Sequence, residues 1–244
     1  MAKDLAIVSG GAGAIGQVIV RALVTHGLGV LIIGRTAPSE LPAGTSFLSA
    51  DLTDDSAIGT IRATINAPVR AIVHCVGVPV AGGVLQAGTD AILGAVNVKA
   101  NGLLRLVRAA DGHFVAQSRI IAIGGHYGLE PTAYAATAGV ANAALINLSR
   151  QLSLAYGPRG ITAHVIAPGP ADTERLRNVA AARAAQRGVG VEEVFAELKA
   201  ESSLGAFTTP EQVAWAVTML LAPEADAMTG STLMLDSGRR RGLP

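Results

Sequence analysis

The stretch Ser9-Gly10-Gly11-Ala12-Gly13-Ala14-Ile15-Gly16 decides the fold of this chain. It follows the short apolar run Leu5–Ser9 and opens a segment of helical spacing, residues 17–26. Glycines at such a junction let the backbone turn tightly and come close to a pyrophosphate. The helix behind them offers unpaired N–H donors and a partial positive charge at its N-terminus. A glycine-rich string alone is a weak signal; the strand-turn-helix setting makes it a strong one. Ser9, Gly10, Ala12, Ile15 and Gly16 are therefore the expected phosphate-side contacts of a dinucleotide.

The same alternation continues outward. Apolar runs of strand length lie at 30–33, 47–50, 71–75, 119–123, 162–166 and 232–235. Helical spacing fills 90–111 and 138–156 between them. Apolar strands alternating with helices predict a parallel sheet covered on both faces. The expected architecture is a doubly wound α/β (Rossmann) fold of seven parallel strands. No repeat or low-complexity linker interrupts it, so residues 1–244 read as one domain. Residues 174–207 are richer in charge and alanine at their start and read as an inserted helical pair near the ligand-binding strand ends.

Composition narrows the function. The chain has 244 residues, 50% hydrophobic, 15% charged, with a formal net charge of +1. That excludes a disordered chain and gives no basic face for non-specific nucleic-acid binding. An uncharged stretch as long as any in the chain, 131–149, contains proline, threonine and asparagine, which suits a buried helix better than a membrane span. Cys75 is the only cysteine, so no intrachain disulfide forms. With no secretory signal pattern at the N-terminus, a reducing cytoplasm is expected. The histidines have no metal-ligand spacing, and no metal is expected.

The second strand leads into Gly34-Arg35-Thr36. A ribose-binding carboxylate is expected about 20 residues beyond the glycines, and none is there. Arg35 stands in its place. A guanidinium can hold a 2′-phosphate, so the expected cofactor is NADP(H). Asp51, after the third strand, reads either as a partner for the adenine amine or as a cap for the next helix.

The glycine turn resembles the Thr-Gly-x-x-x-(Gly/Ala)-x-Gly pattern of the short-chain dehydrogenase/reductase family, with Ser9 for the threonine. The likeness extends along almost the whole chain. His74-Cys75-Val76-Gly77 stands where that family has Asn-Asn-Ala-Gly, and only Gly77 matches. Asn97-Val98 resembles the family's helix-four asparagine. Pro168-Gly169-Pro170-Ala171-Asp172-Thr173 is similar to the segment whose threonine, here Thr173, approaches the nicotinamide amide or the phosphates. The resemblance thus implies cofactor contacts at Gly77, Asn97 and Thr173.

The family's catalytic residues are a serine and, about 13 residues later, a Tyr-x-x-x-Lys pair. Counting back without gaps from Pro158-Arg159-Gly160 places Gly125 at the serine, Ala138 at the tyrosine and Asn142 at the lysine. All three catalytic side chains are missing. Ala133-Tyr134-Ala135-Ala136 imitates the tyrosine motif. Using it requires four extra residues in a packed helix and still puts Ala138 at the lysine.

These losses remove the proton carrier, the cation that lowers its pKa, and the carbonyl-polarising hydroxyl. The chain has three lysines, Lys3, Lys99 and Lys199. Lys99 lies two positions after Asn97, and regular helix geometry turns it to another side. Tyr127, with His126 beside it, lies near the end of the fifth strand. Enoyl and dienoyl reductases of the superfamily are similar in having a tyrosine shifted upstream, but they keep a lysine. His74 and Cys75 read as core residues.

Two functional expectations follow. The first is a non-catalytic subunit that docks on an active paralogue through the family's fourth and fifth helices. It resembles silent partner chains of ketoacyl-type reductases in antibiotic pathways, which act on carrier-bound β-hydroxy or β-keto intermediates. Ala141, Ala143 and Ala144 beside Leu145, Leu148 and Leu152 suit such an interface. The second is a stand-alone reductase with proton delivery from His126, Tyr127, Tyr134 or the substrate. A cofactor-sensing binding protein is a further alternative.

Overall fold

Burial of the apolar strands draws seven of them into one sheet. The computed structural model describes residues 3–78 and 82–242. The strands are β1 (Leu5–Ser9), β2 (Gly29–Gly34), β3 (Thr45–Ser49), β4 (Val69–His74), β5 (Phe114–Ile123), β6 (Thr162–Pro168) and β7 (Thr232–Leu235). They are ordered β3-β2-β1-β4-β5-β6-β7, and every neighbouring pair is parallel. The order reverses between β1 and β4, so the C-terminal ends of these two strands flank the crevice where such sheets bind ligands.

Among the described residues there are eight α-helices: α1 (Ala14–Thr25), α2 (Ser56–Thr64), α3 (Thr89–Val96), α4 (Gly102–Ala110), α5 (Ala136–Tyr156), α6 (Glu174–Arg187), α7 (Val191–Ala200) and α8 (Pro210–Met219). One apolar core lies between the sheet and α2, α4 and α5, around Ile7, Ile72, Leu103, Leu106 and Leu145. The other lies between the opposite face and α1 and α8, around Val8, Ile19, Leu23, Val73 and Val217. Residues 174–207 form α6 and α7, with a small core of their own at Ala180, Ala184, Val194 and Leu198. Thr209 starts α8 with a capping box: its hydroxyl accepts from the Gln212 N–H while Gln212 reaches back to the Thr209 N–H.

Two expectations need correction. Residues 90–111 do not form one regular helix. A π-turn, Asn97–Asn101, joins α3 to α4. In α5, Leu145 and Leu152 are buried in the chain's own core, and Ala141 packs with Val78 and Ala95. Of the six residues expected at an interface, these three face inward, while Ala143 is exposed and Ala144 and Leu148 are half-buried. Among the described residues of α3 and α5, the exposed large apolar side chains are Leu93, Val140 and Leu154, at 67%, 47% and 63% exposure; Leu85, Leu204 and Trp215 are exposed elsewhere.

Candidate active site and cofactor cleft

The glycine turn is shaped by close approach. Gly10 has φ +72°, and a β-carbon there would lie 2.5 Å from the Cys75 carbonyl oxygen. A β-carbon on Gly16 would run into the Gly10 carbonyl. Together they seat the N-terminus of α1 against the ends of β1 and β4, which directs the first N–H groups of α1 into the crevice.

Beside the turn lies a cleft of about 520 Å³ lined by Gly10, Ala12, Arg35, Asp51, Val76 and Gly77, among others. Five of these were expected from sequence. Asp51 Oδ1 accepts hydrogen bonds from the Thr53 N–H and hydroxyl, both at 2.9 Å. Those bonds, with the Arg35 charge, hold the Asp51 carboxyl below its ordinary pKa. Asp51 thus caps its own turn and lines the cleft as well. Arg35 is exposed at the rim, free to meet an anion on a nucleotide's ribose. Arrangement and chemistry both fit the adenosine-phosphate half of a dinucleotide.

The other expected contacts lie elsewhere. Ser9 is buried behind the turn, its Oγ 2.7 Å from His74 Nδ1. Ile15 sits in the first turn of α1, outside the cleft lining. Asn97 ties its helix to the loop after β3: Nδ2 donates to Thr53 O at 3.0 Å, and Oδ1 accepts from Arg105 at 2.9 Å. Thr173 precedes α6 without capping it through its side chain: the hydroxyl donates back to Ala171 O at 3.3 Å. Arg175, the second residue of α6, reaches over Gly77 and donates to the Val78 carbonyl; a β-carbon on Gly77 would lie 2.5 Å from its Nη1. Sequence reading did not find Arg175, since a charge in an alanine-rich helix carries no positional signal.

At the end of β5, Asn142 fills the place that the serine-lysine constellation would need. Its side chain is 5% exposed, and a β-carbon on Gly125 would lie 2.9 Å from Nδ2. Its Oδ1 is buried with no hydrogen-bond partner. Glycine, alanine and a neutral amide at 125, 138 and 142 cannot carry a proton.

Lys99 does lie on another side from Asn97, as helix spacing has it, but that side faces the core: it is the side of the buried Ala95, four residues earlier, at the start of the π-turn. Lys99 is 4% exposed, and its Nζ donates to Ile123 O, at the end of β5, over 2.7 Å. Burial, reinforced by the Arg175 charge, pushes its pKa down to about 8, against the opposing pull of Cys75. The same turn presents the Val98 carbonyl to His74 Nε2 at 3.1 Å. A carbonyl only accepts, so Nε2 carries the proton and Nδ1 accepts from the Ser9 hydroxyl. Burial holds His74 neutral, with its pKa near 3. His74 is thus a structural link between β1, β4 and the π-turn.

Tyr127 and Tyr134 meet hydroxyl to hydroxyl at 2.6 Å. The Arg183 guanidinium lies 3.9 Å from the centre of the Tyr134 ring. Burial and the bond to Tyr134 raise the Tyr127 pKa. Burial alone would raise that of Tyr134 too, but hydrogen bonds from Tyr127 and Arg183 and the arginine charge outweigh it and lower the value. His126 is buried, and burial with the nearby Arg239 charge pushes its pKa down to about 4, which makes it a weak base.

The sheet order, the glycine turn and the cleft define a dinucleotide-binding oxidoreductase fold. A family model described as Enoyl-(acyl carrier protein) reductase matches residues 10–240, and the chain belongs to that family, within the short-chain dehydrogenases/reductases. It is similar to the short-chain reductase protein NovJ of Streptomyces niveus, 25% identical over 97% of this chain and 94% of that one. It is 29% identical to the inactive 2-(S)-hydroxypropyl-CoM dehydrogenase 2 of Xanthobacter autotrophicus, over 89% of this chain and 97% of the relative. In fold it is similar to an actinorhodin polyketide ketoreductase variant solved with NADPH, with a TM-score of 0.87, 22% identity and coverage of 99% and 100%. Among the described residues, no helix is long and apolar enough to cross a membrane.

Proposed function

We propose that this chain is an NADP(H)-binding oxidoreductase subunit that docks on an active family member and is not itself the catalyst. The observation that carries the reading is the Asn142 amide pressed against Gly125, with Ala138 one turn earlier. None of these groups moves a proton at neutral pH. Bound NADP(H) supplies or accepts the hydride in this family's chemistry. In this chain Gly10, Ala12 and the start of α1 hold the phosphates, Arg35 takes the 2′-phosphate, and Asp51 and Gly77 border the cleft. Ser9 and Gly16 shape the turn from behind, and Ile15, Asn97 and Thr173 stand around it. The exposed Leu93, Val140 and Leu154 suit a partner surface, since apolar side chains on neighbouring helices favour association. By its likeness to reductases, the pair acts on a β-keto or β-hydroxy group of a carrier-bound intermediate of secondary metabolism, in the cytoplasm. Co-expression with a family member that keeps the Tyr-x-x-x-Lys pair tests this. The two chains should co-purify and reduce a carrier-bound β-ketoacyl substrate. A chain that forms only homo-oligomers and ignores every such relative sinks the reading.

One observation favours a second reading. The Tyr127–Tyr134 hydroxyl pair, with Arg183 on Tyr134, is a place from which a proton can be supplied. On that reading the chain is a stand-alone reductase, and it turns over with NADPH by itself.

A further inference from the structure

Two cations stand at the inner end of the cleft, away from Arg35. Lys99 is 4% exposed, and its Nζ donates to Ile123 O. Ile123 follows Ala122, the partner of His74 on β4, just as Cys75 follows His74. Val76 and Gly77 come next on that side and line the cleft, as does Val98, the neighbour of Lys99. Arg175 lays its guanidinium on Gly77 and donates to the Val78 carbonyl. Burial, reinforced by the Arg175 charge, brings the Lys99 pKa to about 8, which leaves it cationic at pH 7.

Neither charge is neutralised. Carbonyls answer both, and among the described residues neither forms an ion pair. Burial pushes the Cys75 thiol up to about 11, so it carries no charge beside Lys99 at pH 7. His74 is neutral as well. Asp51 is the acid among the residues that line the cleft, and it faces Arg35 at the other end. Charges away from water are weakly screened and act over longer distances than surface ones. The inner end of the cleft is therefore positive.

A dinucleotide with its adenosine at Arg35 directs its other half towards Gly77 and Val98. The nicotinamide ring there is a cation when oxidised and neutral when reduced. We infer that Lys99 and Arg175 make the cleft selective for the redox state of its nucleotide, favouring NADPH over NADP+. The inference rests on the cofactor reading above and adds a preference that this reading does not contain. It needs no contact with the ring, because a field from two uncompensated charges does the sorting. A unit charge about 10 Å from another, at an effective dielectric constant of about 20, changes an affinity about ten-fold. Lys99 and Arg175 transfer no proton in this role. They bias the chain towards the hydride-carrying form of its nucleotide.

The test is equilibrium binding of NADPH, NADP+ and adenosine 2′,5′-bisphosphate, which has the adenosine half only, to the full chain at pH 7. Wild-type protein should bind NADPH at least about ten-fold more tightly than NADP+. Lys99→Met keeps the length of the side chain and loses its charge; it should cut that ratio about five-fold. Arg175→Met, on the outer helix pair where the sheet's core is not disturbed, should cut it about three-fold, and the double variant further. The bisphosphate should stay within about two-fold throughout. Ratios within about two-fold of wild type in both single variants overturn the inference. So does an equal loss of NADPH and NADP+ with the ratio kept, which makes the two cations phosphate contacts or struts. Wild-type protein that holds the two redox forms equally overturns it without recourse to any variant. If Lys99→Met does not fold, Arg175→Met decides by itself. Wild-type protein that binds none of the three ligands removes the cofactor reading itself, a failure distinct from a lost preference.

Discussion

Asn142 leans its side-chain amide on Gly125 so closely that a β-carbon on the glycine would lie 2.9 Å from Nδ2. The two positions are therefore coupled: a serine at 125 requires the Asn142 amide to shift. Gly125→Ser alone should destabilise the protein by about 1–3 kcal/mol in urea denaturation, as overpacking does. Gly125→Ser combined with Asn142→Ala should recover a measurable part of that loss. Strict additivity of the two substitutions contradicts the contact.

Arg35 stands at the cleft rim where a 2′-phosphate would sit, with the Asp51 carboxylate in electrostatic reach. Arg35→Asp should weaken NADPH binding about 10–100-fold, the loss of a charged hydrogen-bond partner plus new repulsion. NADH binding should be unchanged or tighter. Fluorescence titration of both nucleotides decides it, and a wild-type preference for NADH contradicts the assignment.

Burial lowers three histidines from the ordinary 6.5: His74 to about 3, His126 and His164 to about 4. Below pH 6.5 the unfolded chain takes up protons that the folded chain refuses. Stability is therefore full above about pH 6.5 and falls as the pH drops towards 4. Each histidine contributes a loss of about 2 kcal/mol by pH 5. The melting temperature should drop accordingly between pH 7 and 5. A flat profile over that range contradicts the buried neutral histidines.

The tyrosine pair separates the two functional readings. If the chain is a silent subunit, Tyr134→Phe leaves turnover of the co-purified pair within about two-fold, because the proton comes from the partner. If it acts alone, Tyr134→Phe and Tyr127→Phe each cut turnover by about 10²-fold or more, the usual weight of positioned acid–base catalysis. Steady-state rates of the isolated chain and of the pair measure both.

The glycine turn and its adenosine-side cleft were legible because their logic is local: strand, turn and helix are contiguous, and each glycine answers a close approach nearby. The strand runs were legible because both faces of the sheet are buried. Lys99 was not legible. A lysine is seldom wholly buried, so its place on the Ala95 face of the helix gave no reason to put it in the core, and nothing in Asn97-Val98-Lys99-Ala100-Asn101 announces a π-turn. The meeting of Tyr127 with Tyr134 depends on how residues 128–133 fold back, which no periodicity encodes. β5 begins at Phe114, five residues before the apolar run, with Gln117 at φ +64°; its early residues are partly exposed and carry no alternating pattern.

The π-turn between α3 and α4 also has a mechanical meaning. One added residue in a helix shifts the angular phase of everything beyond it by about 100°. The rod from Thr89 to Ala110 therefore runs in two phases, and Lys99 sits at the seam. Excising one residue there would restore a single phase. Gly102, whose close approach to His74 leaves little room for a β-carbon, would then turn by about 100° relative to Ala95 and lose that place.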